Sequence, residues 1–175
     1  MSREVARNGK LILFWSCLST IFLGSCSSVT TTEYAATART TYSWQVEYAV
    51  NPGSDNLTRF ENFASTSLLN RNGIKPENAV TGPDDKGLWW AALPPRPTVD
   101  EIEQRQKLAQ KHSSPQLIKS VDYQLTYTAG NTAQTLPTNY QVYRQVVKAY
   151  PQKSPLQLTL GVNDHTVEKA QLSSK

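Results

Sequence analysis

Apolar and polar positions alternate from Thr41 to Val50, with Trp44, Val46, Tyr48 and Val50 on one side and Ser43, Gln45 and Glu47 on the other. A period of two predicts a half-buried strand. The run Asn51–Asp55 (NPGSD) then turns the chain. From Asn56 to Ile74 the period changes: Leu57, Phe60, Ala64 and Leu68 share one helical face, with Phe63 beside it. Arg71 in the last turn, Gly73 at a left-handed cap position and Ile74 as its apolar contact predict where that helix stops. A loop rich in Pro and Gly follows, Lys75–Gly87, and the short apolar run Leu88–Leu93 predicts a strand stiffened at its exit by Pro94-Pro95-Arg96-Pro97.

Thr98 with Glu101 three residues later is a capping box, and Glu101–Arg105 and Glu103–Lys107 are spaced as i,i+4 ion pairs. Only Val99, Ile102, Leu108 and Ala109 offer apolar contact, so this helix is expected at the surface. Val121, Tyr123, Leu125 and Tyr127 alternate with polar residues and predict another strand, ended by Ala129–Thr132 (AGNT). Between Thr138 and Pro151 two signals compete. The Val and Tyr content favours strand. The spacing puts Tyr140, Val142, Tyr143, Val146, Val147, Ala149 and Tyr150 on one half of a helical wheel and Gln141, Arg144, Gln145 and Lys148 on the other. Periodicity decides for helix over residues 139–150, with Thr138 and Gln141 as a capping box and Pro151 as the stop. Leu156, Leu158 and Leu160 face inward on a last strand, and residues 165–175 are a frayed end or one more short element. The order is β-α-β, an extra helix, then β-α-β. It predicts an α+β fold: an antiparallel sheet with helices packed on one face, in the manner of a ferredoxin-like split βαβ with an inserted helix. A strand at 139–150 would give a β-meander carrying two helices.

The first forty residues follow another logic. Arg3, Arg7 and Lys10 precede an uncharged run, Leu11–Gly24, that ends in small residues. This is the layout of a secretory signal. The run is 14 residues long and diluted by Ser16, Ser19 and Thr20, whereas a spanning helix needs roughly 17–25 apolar residues. Ser27–Thr41 is rich in Ser, Thr and Ala, with Tyr34 its only large apolar side chain; it reads as a tether of roughly 20 Å, or in part as an edge strand. The chain thus divides into a signal peptide (1–25), Cys26 with a flexible tether (26–41) and one folded domain (42–175).

Leu23-Gly24-Ser25-Cys26 resembles the lipobox of bacterial lipoproteins: an aliphatic residue, two small residues, then Cys. The resemblance implies a diacylglyceryl group on the Cys26 thiol and cleavage before it. It implies export and anchoring to the extracytoplasmic face of a plasma, outer or thylakoid membrane. One acyl chain holds only marginally, at about 0.8 kcal/mol per buried methylene, and two or three on one residue hold firmly. The alternative is an ordinary signal cut near Ser25 that leaves Cys26 a bystander. Two later stretches also carry a likeness: GLWWAALPPRP (residues 87–97) and QLTLGVND (residues 157–164) resemble uncharacterised cyanobacterial lipoproteins.

Cysteine usage narrows the chemistry. Cys17 and Cys26 are the only two, so with the signal removed and Cys26 acylated the domain has no thiol or disulfide. Losing Arg3, Arg7, Lys10 and Glu4 takes 18 basic and 14 acidic residues to 15 and 13, a net charge of +2 in place of +4. No Lys/Arg block stands out as a nucleic-acid footprint, and no glycine-rich phosphate loop is present, so neither nucleic acid nor nucleotide is expected as a partner. His112 and His165 lack the spacing of a metal site, no G-x-S-x-G occurs, and no cofactor is implied. Carboxylates remain: Asp84-Asp85 in the loop and Asp100, Glu101 and Glu103 opening the second helix.

Trp89-Trp90 draws attention because neighbours on a strand point to opposite faces. One ring can enter the core while the other, with Arg96 and the proline segment, offers a binding surface; alternatively both rings are covered. The expectation is therefore a lipid-anchored accessory or binding protein, non-enzymatic, held to the membrane through acyl chains on Cys26 and meeting an envelope or membrane protein partner. Trp89, Trp90 and Arg96 are its candidate contacts. An envelope hydrolase using a carboxylate pair and a purely structural envelope lipoprotein are the alternatives.

Overall fold

A computed structural model describes residues 27–50 and 58–173. Of these, 50% are strand and 16% helix. The strands are β1 (Ser28–Thr31), β2 (Tyr34–Ala49), β3 (Arg59–Arg71), β4 (Lys111–His112), β5 (Gln116–Ala129), β6 (Thr132–Thr138), β7 (Leu156–Leu160) and β8 (Val167–Leu172). The helices are α1 (Val99–Gln104) and α2 (Tyr140–Ala149). One mixed sheet runs β1-β7-β8-β6-β5-β2-β3, with β4 on β2. Every pairing is antiparallel except β6–β8, which meet in parallel at the pair Thr138–Val167.

The expected α+β fold, helices layered on an antiparallel sheet in a ferredoxin-like order, is corrected: the protein is sheet-dominated. The main cause is the segment expected as a helix over 56–74. Its described part is β3, paired with β2 from Tyr48–Arg59 to Thr37–Arg71. Between Ser43–Ser65 and Gln45–Asn62 the register slips by one, so Phe63 and Ala64 together oppose Trp44. A bulge of this kind resets the alternation. Arg59, Glu61 and Phe63 are the shielded positions before it, and Ala64, Thr66, Leu68 and Asn70 after it. The interrupted period of two imitates helical spacing. Gly73 does adopt a left-handed conformation, φ +73°, but in the turn that leaves β3; a Cβ there would lie 2.6 Å from Val147 Cγ1 of α2.

Ser27–Thr41, expected as a tether, belongs to the sheet: β1 pairs with β7, and β2 starts at Tyr34 opposite Tyr127. Leu88–Leu93 is not a strand but irregular chain with one bridge, Thr81–Trp90. Residues 165–175 include β8, and Thr132–Thr138, which the pattern did not mark, is β6.

Other expectations are met. Residues 42–49 and 120–127 are strand, Leu156, Leu158 and Leu160 are buried, and α2 is a helix. Its cap is Asn139 rather than Thr138: the Asn139 side chain accepts a hydrogen bond from the Val142 amide at 3.0 Å. The capping box at Thr98 and Glu101 is formed, but α1 stops at Gln104, and Arg105 turns to β3, where it donates to the Asn62 carbonyl and lies 3.6 Å from Glu61.

The even-numbered face of β2 organises the interior. Tyr34, Ala36 and Ala38 join Leu125, Tyr127, Val142, Tyr143, Val146, Leu156, Leu158 and Val167 in the main core, built around α2. Val46 and Tyr48 form a smaller cluster with Ile102 of α1, and Phe63 packs against it. Between the two, Thr40 and Tyr42 are covered by the irregular chain around Trp89 and Trp90.

Candidate functional site

The Trp89–Trp90 segment is fixed by its backbone. Asn70, fully buried in β3, accepts from the Trp89 amide at 2.7 Å and donates to the Trp89 carbonyl at 3.0 Å. Thr40 donates to the same carbonyl at 2.8 Å. A buried amide side chain so placed does for the segment what a neighbouring strand would do, giving its polar backbone groups partners away from water. Trp90 is buried, stacked on Tyr42 at 4.8 Å, and its indole N–H donates to Asp84 at 2.9 Å. Trp89 is half-buried with the Lys75 ammonium 5.0 Å from its ring centre. Arg96 is exposed and lies 5.6 Å from the Trp44 ring, whose indole N–H donates to the Pro94 carbonyl. The three candidate contacts are therefore not brought together on one surface: Trp90 faces inward, and Arg96 sits over Trp44.

The carboxylates are engaged locally. Asp84 accepts from the Lys86 and Leu88 amides and from Trp90, so it shapes its own loop. Glu101 accepts from the Thr98 amide and hydroxyl, and these hydrogen bonds hold its carboxyl below the usual range. Asp85, Asp100 and Glu103 are exposed. His112 lies in β4, and His165 is exposed. Among the described residues, no group of three or more His, Cys, Asp or Glu is placed to hold a metal ion.

Two places escaped the sequence reading. The first is a tyrosine cluster: Tyr123 lies 5.4 Å from Tyr143 and 6.0 Å from Tyr140 between ring centres. The Tyr123 and Tyr143 hydroxyls make no hydrogen bond of normal geometry. Burial, with Tyr140, Asp84 and Tyr143 nearby, pushes the Tyr123 hydroxyl up to about 12. Burial raises Tyr143 too, against an opposing influence of the Gly73 backbone.

The second is the outer face of the sheet. A shallow groove of about 490 Å³ is lined by Thr37 and Arg39 of β2, Leu69 of β3, Asp122 and Gln124 of β5 and Pro137 of β6, among others. Arg39 and Asp122 are direct cross-strand partners, and Leu69 sits opposite Arg39 on the other side. The groove combines one cation, one anion, apolar contacts from Leu69, Val121 and Pro137, and neutral hydrogen-bonding groups. That set offers charged, hydrogen-bonding and apolar contacts on one surface. The alternation of β5 marked Asp122 and Gln124 as outward-facing, whereas Thr37 and Arg39 fell in the expected tether; only strand order shows that they converge.

Cys26 lies outside the described residues, as does all of the expected signal peptide. Ser27, the next residue, is already part of the ladder: its carbonyl accepts from the Leu160 amide at 2.9 Å, and its hydroxyl donates to Asp164. No helix among the described residues is long and apolar enough to cross a membrane. Comparisons with protein-family models, with curated proteins and with solved structures find no match to this chain.

Proposed function

We propose that this protein is a lipid-anchored accessory protein of the extracytoplasmic membrane face, which binds an envelope partner and does not turn over a substrate. The observation that carries the reading is position: Leu23-Gly24-Ser25-Cys26 follows a basic and then an apolar stretch, and the next residue, Ser27, is bonded into the sheet. A lipid on Cys26 would hold the whole sheet at the membrane, where tethering raises the effective concentration of any second contact. The hydrolase alternative loses support because Asp84 and Glu101 are engaged in holding a loop and a helix start. The outer groove at Arg39 and Asp122 takes over from Trp89, Trp90 and Arg96 as the favoured contact surface.

The test is the mass of the amino-terminal peptide from the exported protein. A diacylglyceryl-modified Cys26 at the first position is expected, and Cys26→Ala should leave the membrane fraction. A free thiol on the mature chain, or an uncleaved leader, overturns the reading. The Arg39→Ala/Asp122→Ala double variant should stay anchored while losing crosslinks to its neighbours in the native membrane; unchanged crosslinks would remove the groove from the proposal.

A further inference from the structure

The start of the sheet at Ser27 has a geometric consequence for the anchored protein. Ser27 is bonded to the end of β7 through Leu160 and to the β7–β8 turn through Asp164. Ser28 is in register with Thr159. Ser27 therefore lies at the end of the sheet where β7 passes into β8. Cys26 is one Cα–Cα step away, about 3.8 Å.

That turn is firmly built. The Gly161 amide donates to the Thr166 carbonyl at 2.9 Å, the Asp164 amide donates to the Gly161 carbonyl at 3.1 Å, and the Thr166 hydroxyl donates to Glu168 at 2.6 Å. A Cβ at Gly161 would lie 2.2 Å from Thr166 Oγ1, so a larger residue there would push that hydroxyl aside. Val162 stands out from this frame with 76% of its surface exposed. A lone exposed valine is ordinary on a protein surface. Its place in the turn to which Ser27 is bonded is what gives it meaning.

We infer that the β7–β8 turn, Gly161–Thr166, is a membrane-contact element: with Cys26 acylated, the turn rests on the lipid surface, Val162 meets the acyl–headgroup boundary, and the domain is held in one orientation. This rests on the lipid-anchor reading above. The ligand is the lipid surface itself, and the contact adds apolar area to that of the acyl chains. The opposite end of β2 lies far from the contact. From Tyr34 to Tyr48 the strand extends roughly 45 Å at about 3.3 Å per residue; α1 packs on that far end through Ile102, and the fully exposed Leu108 follows α1 in the chain.

The test uses the full-length protein, exported, lipidated and reconstituted in phosphatidylglycerol/phosphatidylethanolamine vesicles. Val162→Cys and Leu108→Cys carry a polarity-sensitive fluorophore; with Cys26 blocked and Cys17 lost with the signal, each mature variant has one reactive thiol. Nitroxide-labelled lipid should remove most of the emission at 162 and leave that at 108 unchanged. A Gly/Ser spacer of about 12 residues between Cys26 and Ser27, with a reach of about 20 Å, should abolish quenching at 162 while the protein still floats with vesicles. Equal quenching at both sites, or quenching at 162 that survives the spacer, overturns the contact but not the anchor. An unmodified Cys26 with no flotation overturns both.

Discussion

The two ends of β2 are covered by different physics. From Tyr34 to Ala38 the strand meets α2, and the surfaces brought together are apolar: Ala36, Ala38, Val142 and Val146 are almost wholly buried. From Thr40 to Tyr48 the same face meets irregular chain and the short helix α1. There the fasteners are individual hydrogen bonds: Thr40 and Asn70 to Trp89, Trp44 to Pro94, and the Tyr48 hydroxyl to the Ile102 carbonyl at 2.8 Å. The first end is held by area, which is insensitive to detail. The second depends on a few side chains, each of which can be removed singly. The difference teaches that a strand can keep one covered face along its length without a regular layer above it, provided the irregular chain has its backbone groups satisfied.

The comparison can be broken at its apolar end first. Leu158→Ala, at a fully buried core position, should cost about 2–5 kcal/mol, read as a lowered denaturation midpoint for the whole domain. At the other end, Asn70→Ala deprives the Trp89 amide of its partner and leaves its carbonyl with Thr40 alone, and should cost about 1–3 kcal/mol. Hydrogen exchange should rise mainly in residues 82–97, with α2 still protected. Equal loss of protection in both regions would show that the two ends are one cooperative unit.

Thr98→Ala removes the capping box of α1 and should cost about 1 kcal/mol, with the change in exchange confined to α1 and its neighbours. The smallest effect at neutral pH is Tyr123→Phe, which deletes a hydroxyl lacking a partner. Its signature is in alkali. The hydroxyl is raised from 10.0 to about 12 in the fold, so its neutral form is favoured by folding. Stability linked to it is intact below about pH 10 and is lost as pH rises from there towards about 12. The Phe variant should therefore lose less stability than the parent between about pH 10 and pH 12, measured by urea titration at each pH.

Several elements were legible for identifiable reasons. Residues 42–49 and 120–127 are strands with one face buried and one open, so alternation is their signature. α2 was legible because its apolar half lies on the sheet while Arg144, Gln145 and Lys148 stay exposed. β1 and the start of β2 were not, because Ala36 and Ala38 are buried under a close-packed helix where only small side chains fit. Small buried residues leave no hydrophobic signal. β3 was misread because its bulge at Phe63 and Ala64 breaks the period at mid-strand. At the candidate sites, the sequence picked out Trp89 and Trp90 by size, whereas the structure uses Trp90 for packing. The groove at Arg39 and Asp122 is assembled from four strands distant in sequence.

By itself the sequence determined the local features: where alternation makes a strand, where Thr98 and Glu101 start a helix, and the basic, apolar and Leu23–Cys26 layout of the first residues. These depend on neighbours within a few positions, and short-range sterics and hydrogen bonding decide them. Only the tertiary structure decided that Ser27–Thr41 is sheet, that Arg59–Arg71 is strand, and that Ser27 lies against the β7–β8 turn. For Ser27 the backbone partner, Leu160, is far along the chain, and for β3 it is the ladder with β2, interrupted by a bulge; pairing between separate segments leaves no mark in the local pattern.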